Sequence, residues 1–409
     1  MGGCIYVTCD IELSTASCRN SVRHSGAIVY RTKSRAGELM KQLLLSTAVL
    51  TAGLMTLAAA QAHNDDNDGH DSNNPLTLAV FGDWPYSQNL LDNASLLIDS
   101  VNSDRKVDLV LHVGDIHSGS MPCTSAAILP PIPTSVPGWN QQIYYQFQQF
   151  SAPVVYTPGD NEWTDCQKSK EFSSGDPLKE LASVRSLFFA KPGTTLGVHE
   201  RDVRSQAKYF DRAYPADAQF VENVRWVDSK VVFVTLNLPG SNNDTLPWAG
   251  TFFNPEAQNK EVAERTDADV RWLEAGFEEA QEEHARAVVI VVQADMWDPA
   301  AIVPGGDGLS AYKPFVQKLA DLSVRFGRPV LLLNGDSHIY ETDLPLADPT
   351  SSTGVIHHTR AVPNLRRITV QGSTNKPAEW LRLTIDTRKS NPFSWENVPY
   401  CADPLGSCK

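Results

Sequence analysis

Basic residues are scarce in this sequence. Among 409 residues, 35 Lys and Arg stand against 48 Asp and Glu, a formal charge of −13 and a pI near 5.2. That balance lacks the positive surface on which binding to a nucleic-acid duplex or to anionic lipid depends, whereas a local phosphate site served by bound cations stays open. Glycine and proline, at 25 and 26, show no excess, and no repeat of solenoid period is present, so collagenous, low-complexity and repeat architectures are excluded. Long apolar runs are missing as well, with one exception near the N-terminus.

That exception, MKQLLLSTAVLTAGLMTLAAAQA from Met40, joins a start Met, a Lys, the apolar stretch Leu43 to Ala60 and the small-residue pattern Ala60-Gln61-Ala62. It reads as a secretory signal peptide over 40–62, with an uncleaved anchor as the alternative. Cleavage would begin the mature chain at His63, secreted or periplasmic, with no stable membrane anchor. Residues 1–39 resemble an upstream misread start; a twin-Arg or organellar address is the other reading. Residues 63–75, Asp- and Asn-rich, read as a flexible acidic linker, with weak metal binding by His63 and His70 among four Asp as the alternative. Without residues 1–62 the balance sharpens to 29 basic against 45 acidic residues, and cysteines fall from seven to Cys123, Cys166, Cys401 and Cys408. An even number in an oxidising compartment predicts two disulfides. Of the three pairings, Cys401 with Cys408 closes a short C-terminal loop over 401–409 and leaves Cys123 with Cys166. No CxxC or Cys-rich metal pattern is present.

Residues 76–400 read as one domain. Four short apolar runs end in Gly-Asp: LTLAVFGD (76–83), VDLVLHVGD (107–115), PVVYTPGD (153–160) and PVLLLNGD (329–336). Continuous rather than alternating apolar runs mark strands buried on both faces, and the intervening lengths suit crossover helices, so the class is α/β with a parallel or mixed sheet. Two further runs, 230–243 and 286–298, end in Asn242 and Asn243 and in Gln293 and Asp295. Between them, 267–286 places Val270, Leu273 and Phe277 at helical spacing. LRRITVQG and WLRLTID near the C-terminus read as antiparallel additions. Loops at the carboxyl ends of such strands share one edge, so Asp83, Asp115, Asp160 and Asp336 are expected to converge there. Asp after Gly is also common turn chemistry, but four convergent carboxylates with His338 nearby are most simply explained by multivalent cations.

The order GD, GD, GDNE, a buried strand with a polar end, then GDSH resembles the calcineurin-like metallophosphoesterase superfamily, which includes the purple acid phosphatases. GDNEWTDC and NGDSHIYETD are most similar to its secreted bacterial members. The resemblance implies a four-layer α/β/β/α sandwich of two mixed β-sheets flanked by helices, around two divalent metal ions. It implies that Asp83 is the first-motif ligand, with Pro85 where a His is usual, and that Asp115 bridges the metals. Asp160 takes the place of a ligating Asn and Asn161 that of the leaving-group His. Gln293, or failing it Asp295, replaces a lone His. Asp336 replaces the first His of the last motif, and His338 keeps the second.

A ligand set of Asp83, Asp115, Asp160, Gln293, Asp336 and His338 is dominated by hard oxygen, which favours Mn, Mg or Ca, with Zn or Fe possible. Metal-activated water attacking phosphorus on a small phosphorylated substrate is the implied reaction. Asn161 cannot act as an acid, so His117, on the Asp115 loop, is the candidate acid, with an exposed loop histidine as the alternative; Asn242 and Asn243 are candidates for holding substrate, with ordinary turn composition as the other reading. His112 reads as core, and His357-His358 shows no ligand spacing. Two functions stay open: a secreted metal-dependent phosphoester hydrolase, or a non-hydrolytic binding or structural protein on a degenerate form of the fold. Oligomeric state is not legible.

Overall fold

The computed structural model describes residues 74–123 and 138–408. The 1–39 stretch, the 40–62 leader and nearly all of the 63–75 linker lie outside the described residues. Twelve strands run in chain order: β1 (Leu76–Phe81), β2 (Val107–His112), β3 (Val154–Tyr156), β4 (Arg204–Ser205), β5 (Val224–Asp228), β6 (Val231–Thr235), β7 (Ala287–Val291), β8 (Val330–Asn334), β9 (Glu341–Asp343), β10 (Leu365–Thr369), β11 (Ala378–Ile385) and β12 (Phe393–Cys401). They make a five-stranded sheet, β12-β11-β1-β2-β3, and a seven-stranded sheet, β4-β5-β6-β7-β8-β10-β9. Both are mixed: β1-β2-β3 and β6-β7-β8-β10 run parallel, and antiparallel strands flank them.

Side-chain alternation along the central strands builds the layers. On β1, Leu76, Leu78 and Val80 enter the core between the sheets, while Ala79 and Phe81 face the helices Ala94–Ser103, Trp139–Phe147 and Pro177–Phe188. On β7, Ala287, Val289 and Val291 join the same inter-sheet core, while Val288 and Ile290 meet the helices Pro255–Glu282 and Lys313–Phe326. Apolar residues at every position of β7, and at all but Thr77 of β1, are therefore a consequence of two covered faces. The result is a four-layer α/β/β/α sandwich.

Two sequence expectations change. The helix expected over 267–286 runs from Pro255 to Glu282, capped by Asn254, whose side chain accepts from the Ala257 N–H. Its first half buries Gln258 and Arg265, so an apolar period could not reveal it. LRRITVQG is not an antiparallel addition: β10 lies parallel to β8, reached by the crossover through 335–364, and only its other neighbour, β9, is antiparallel. Among the described residues no helix is long and apolar enough to cross a membrane.

Candidate metal centre

The carboxyl ends of β1, β2, β3, β7 and β8 supply the site. At three of the Gly-Asp turns the aspartate itself takes the left-handed conformation: φ is 48° at Asp83, 59° at Asp115 and 74° at Asp336, with His338 at 63°. Asp tolerates this region better than most residues, yet each position still stores about 1–2 kcal/mol. The preceding glycines answer mainly to close approach. A Cβ on Gly159 would lie 2.0 Å from Asp115 Oδ1. Behind the turns, buried His112 accepts from the Gly114 N–H at Nδ1, which leaves Nε2 to donate to the Trp84 carbonyl at 3.1 Å. Burial pushes this imidazole down to about 4, so it is a neutral brace between the first two loops.

The aspartates meet in two groups that share Asp115. In the first, Asp83, Asp115 and His338 offer ligand atoms within 4.8 Å of one another. Tyr86, three residues beyond Asp83, places its hydroxyl among them: Oη lies 2.8 Å from Asp115 Oδ2, 3.1 Å from Asp83 Oδ1 and 3.1 Å from His338 Nε2. His338 Nε2 is also 3.3 Å from Asp83 Oδ1, and its side chain is 40% exposed. Burial disfavours charge on this imidazole, but the charge and hydrogen bond of Asp83, together with Asp160, outweigh it and raise its pKa. Asp83 Oδ2 is buried without a hydrogen-bond partner.

In the second group, Asp115, Asp160 and Asp336 offer oxygens within the same 4.8 Å limit. Gln293 Nε2 donates to Asp115 Oδ2 at 3.1 Å and to Asp160 Oδ1 at 3.0 Å. Ser241 Oγ donates to Asp160 Oδ2 at 2.7 Å, and the Asp295 N–H to Asp336 Oδ2 at 3.0 Å. Burial, then neighbouring carboxylates, raise the pKa values of Asp115, Asp160 and Asp336. Among the described residues no lysine or arginine forms an ion pair with any of the four aspartates; Lys168 and Lys170 both pair with Asp165 at 2.8 Å.

An excess of buried carboxylates, oxygen donors in two clusters and an orphaned Asp83 oxygen fit a hard divalent cation. Gln293 needs correction as a ligand, because it presents N–H rather than oxygen to the carboxylates. Asp295 turns away to Arg367 at 2.6 Å. Asn161 donates from Nδ2 to Asp115 Oδ2 at 3.0 Å and to Tyr86 Oη at 3.2 Å, so it braces the shared carboxylate.

His117 also needs correction as an acid. It is buried, burial lowers it to about 4, and Nε2 faces Cys123 Sγ at 3.8 Å, not the aspartates. Its apparent grouping with Cys123 and Glu171 offers no thiolate, since Cys123 is bonded to Cys166. A second disulfide joins Cys401 and Cys408. Asn243 is turned from any substrate: Arg265 donates to its Oδ1, and its Nδ2 donates to Thr266. Asn242 Oδ1 accepts from the Ala311 N–H at 3.0 Å. His357, held by the Met296 carbonyl, lies outside the cluster.

Sequence reading missed Tyr86, Asp165, Lys168 and Ser241. Tyr86 follows Pro85 at the position where a ligating His was sought, and a phenol there gave no metal signal. Ser241 opens a run of four left-handed residues, Ser241 to Asp244, which no turn pattern announces.

The family model for calcineurin-like phosphoesterases matches residues 76–340. No curated protein matches the chain. Among solved structures, GAP50, the anchor in the inner membrane complex of Plasmodium, is similar at 10% identity with a TM-score of 0.39, over 80% of this chain and 89% of that one.

Proposed function

The chain belongs to the calcineurin-like phosphoesterase family, and from that premise we propose that it is a secreted, metal-dependent phosphoester hydrolase acting on a small phosphorylated substrate. The observation that carries the reading is the convergence of Asp83, Asp115 and Asp160, from the carboxyl ends of strands in the five-stranded sheet, with Asp336 and His338, from the carboxyl end of β8 in the seven-stranded sheet, without a pairing Lys or Arg among the described residues. A bound divalent cation would supply charge neutralisation for the phosphoryl group and an acidified water. The donors that would hold it are the aspartate oxygens and His338 Nε2, and the oxygen-rich set favours Mn, Mg or Ca over Zn or Fe.

The chain's own groups fix the rest. Asn161, Tyr86 and His112 hold Asp115 and the turn after β1 in place before substrate arrives. With His117 neutral and turned away, the sequence-predicted acid does not face the carboxylates, which favours aryl esters, whose leaving groups need no proton, as substrates. Secretion is supported by the 40–62 leader pattern and the two disulfides. Intact mass of protein from its native host should give His63 as the first residue; a retained 41–62 segment refutes the leader.

Activity is tested by stripping metal and measuring aryl phosphate mono- and diester hydrolysis after adding Mn²⁺, Mg²⁺ or Zn²⁺. Mn²⁺ or Mg²⁺ should restore turnover at least as well as Zn²⁺. The donors already set against the carboxylates, Tyr86 Oη and Gln293 Nε2, favour a second reading in which the fold binds without hydrolysing. Cation binding without turnover on any ester would select it.

A further inference from the structure

Gln293 bears on how many cations the site holds. Its side chain is fully buried and fixed at both ends. A Cβ on Gly114 would lie 2.5 Å from both Cβ and Cγ of Gln293, so the aliphatic stem is packed directly against the turn that carries Asp115. At the head, the Gly240 N–H donates to Oε1 at 2.5 Å. Turning the amide over would set its NH₂ against that N–H, so the Gly240 backbone fixes the orientation that keeps Oε1 away from the carboxylates. Nε2, which has no lone pair for a metal, is therefore held between Asp115 Oδ2 and Asp160 Oδ1.

The remaining space is occupied from the same side. A Cβ on Gly240 would lie 2.6 Å from Asp336 Oδ1 and 2.9 Å from Asp160 Oδ1, so the backbone itself lies against both carboxylates. Ser241 covers the other Asp160 oxygen. In the first group the hydroxyl between the carboxylates belongs to Tyr86, whose oxygen has lone pairs, and His338 opens that group to solvent.

Resting on the reading above that the site is metal-dependent, we propose that this chain binds one divalent cation, at Asp83, Asp115 and His338, and that the Gln293 amide stands in for a second between Asp115 and Asp160. A neutral amide donating two hydrogen bonds relieves carboxylate repulsion without a cation.

The test is metal content. Stripped protein is loaded with Mn²⁺, freed of excess by gel filtration and measured by elemental mass spectrometry and electron paramagnetic resonance. One Mn²⁺ per chain with an uncoupled six-line spectrum is expected. Asp83→Asn should abolish retention, Asp336→Asn should leave one ion, and Gln293→His, which restores a nitrogen lone pair, should admit a second ion with a spin-coupled spectrum. Two coupled ions in the unaltered protein overturn the proposal while leaving the hydrolase reading intact. Loss of the single ion in Asp336→Asn but not in Asp83→Asn also overturns it, and does so even if Gln293→His fails to fold. No retained ion together with no turnover defeats the metal-dependent reading itself.

Discussion

The two carboxylate groups share Asp115 and are nearly equal in acid content, yet they are built on different principles. The Asp83 side is finished by an exposed imidazole and a phenol on a turn, groups that can ligate or move aside. The Asp160 side is finished by a buried amide, a glycine backbone and a serine hydroxyl, all donating hydrogen bonds and all packed. Counting acids cannot separate them. What separates them is the atom between the oxygens, and whether its neighbours let it leave.

The largest expected effect comes from the shared residue. Asp115→Ala should reduce phosphoesterase turnover by at least ~100-fold, since it removes an oxygen from both groups and the partner of Tyr86, Asn161 and Gln293 at once. An undiminished rate would mean that the chemistry lies elsewhere. The paired variants then divide the groups: Asp83→Asn should approach the Asp115→Ala loss, while Asp336→Asn should cost no more than ~10-fold, as expected of a supporting residue. Equal losses would erase the distinction between the two sides.

Stability measurements reach the wall behind the Asp160 side. The Cys123–Cys166 disulfide closes a 43-residue separation and ties the loop after Asp115 to the loop after Asp160. Replacing both cysteines by serine should cost ~2–4 kcal/mol in urea unfolding, chiefly by freeing the unfolded chain. Beside the disulfide, Glu171 is fully buried, its Oε1 has no hydrogen-bond partner, and burial followed by Asp165 pushes its carboxyl up from 4.5 to about 10. The unfolded chain releases this proton near 4.5 and the folded chain holds it to about 10, so stability should fall as pH rises through that window, by up to ~1.4 kcal/mol per unit. Glu171→Gln should match the parent near pH 4 and exceed it at pH 8 by ~1 kcal/mol or more. Parallel pH profiles for the two proteins would show that Glu171 ionises freely in the fold.

The sheets were legible because double burial leaves an unmistakable trace: β1, β7 and β8 are apolar at nearly every position, β2 at four of six, and each run stops at a turn. The acids were legible because they follow those turns directly. Strand direction was not, since β10 carries Arg366 and Arg367 like an edge strand while lying parallel to β8; Arg367 is buried only because Asp295, Glu341 and Asp343 surround it. The roles of Gln293 and His117 were equally hidden. Both depend on which neighbour a side chain meets, Gly240 in one case and Cys123 in the other, across separations of 53 and 6 residues.

The smallest prediction separates strain that serves the site from strain that does not. Asp83, Asp115, Asp336 and His338 sit in the left-handed region where their side chains must converge, and so do Ser229 and Lys230, which join β5 to β6. That two-residue connection has positive φ at both positions, 47° and 63°, the pattern of a type I′ turn, for which Asn-Gly is the favoured pair. Lys230 is exposed, and the contact its backbone makes, accepting from the Arg286 N–H at 2.7 Å, survives loss of the side chain. Lys230→Gly should therefore stabilise the protein by about 0.4–1 kcal/mol: relief of the left-handed penalty exceeds the added entropy of the unfolded chain. Turnover should be unchanged. The corresponding change at Asp115 would relieve the same backbone penalty and remove the shared carboxylate, so a gain in stability there would come with loss of activity. Lys230→Gly giving no gain in urea midpoint would show that this hairpin holds its conformation without strain, and that positive φ in this fold marks geometry rather than stored energy.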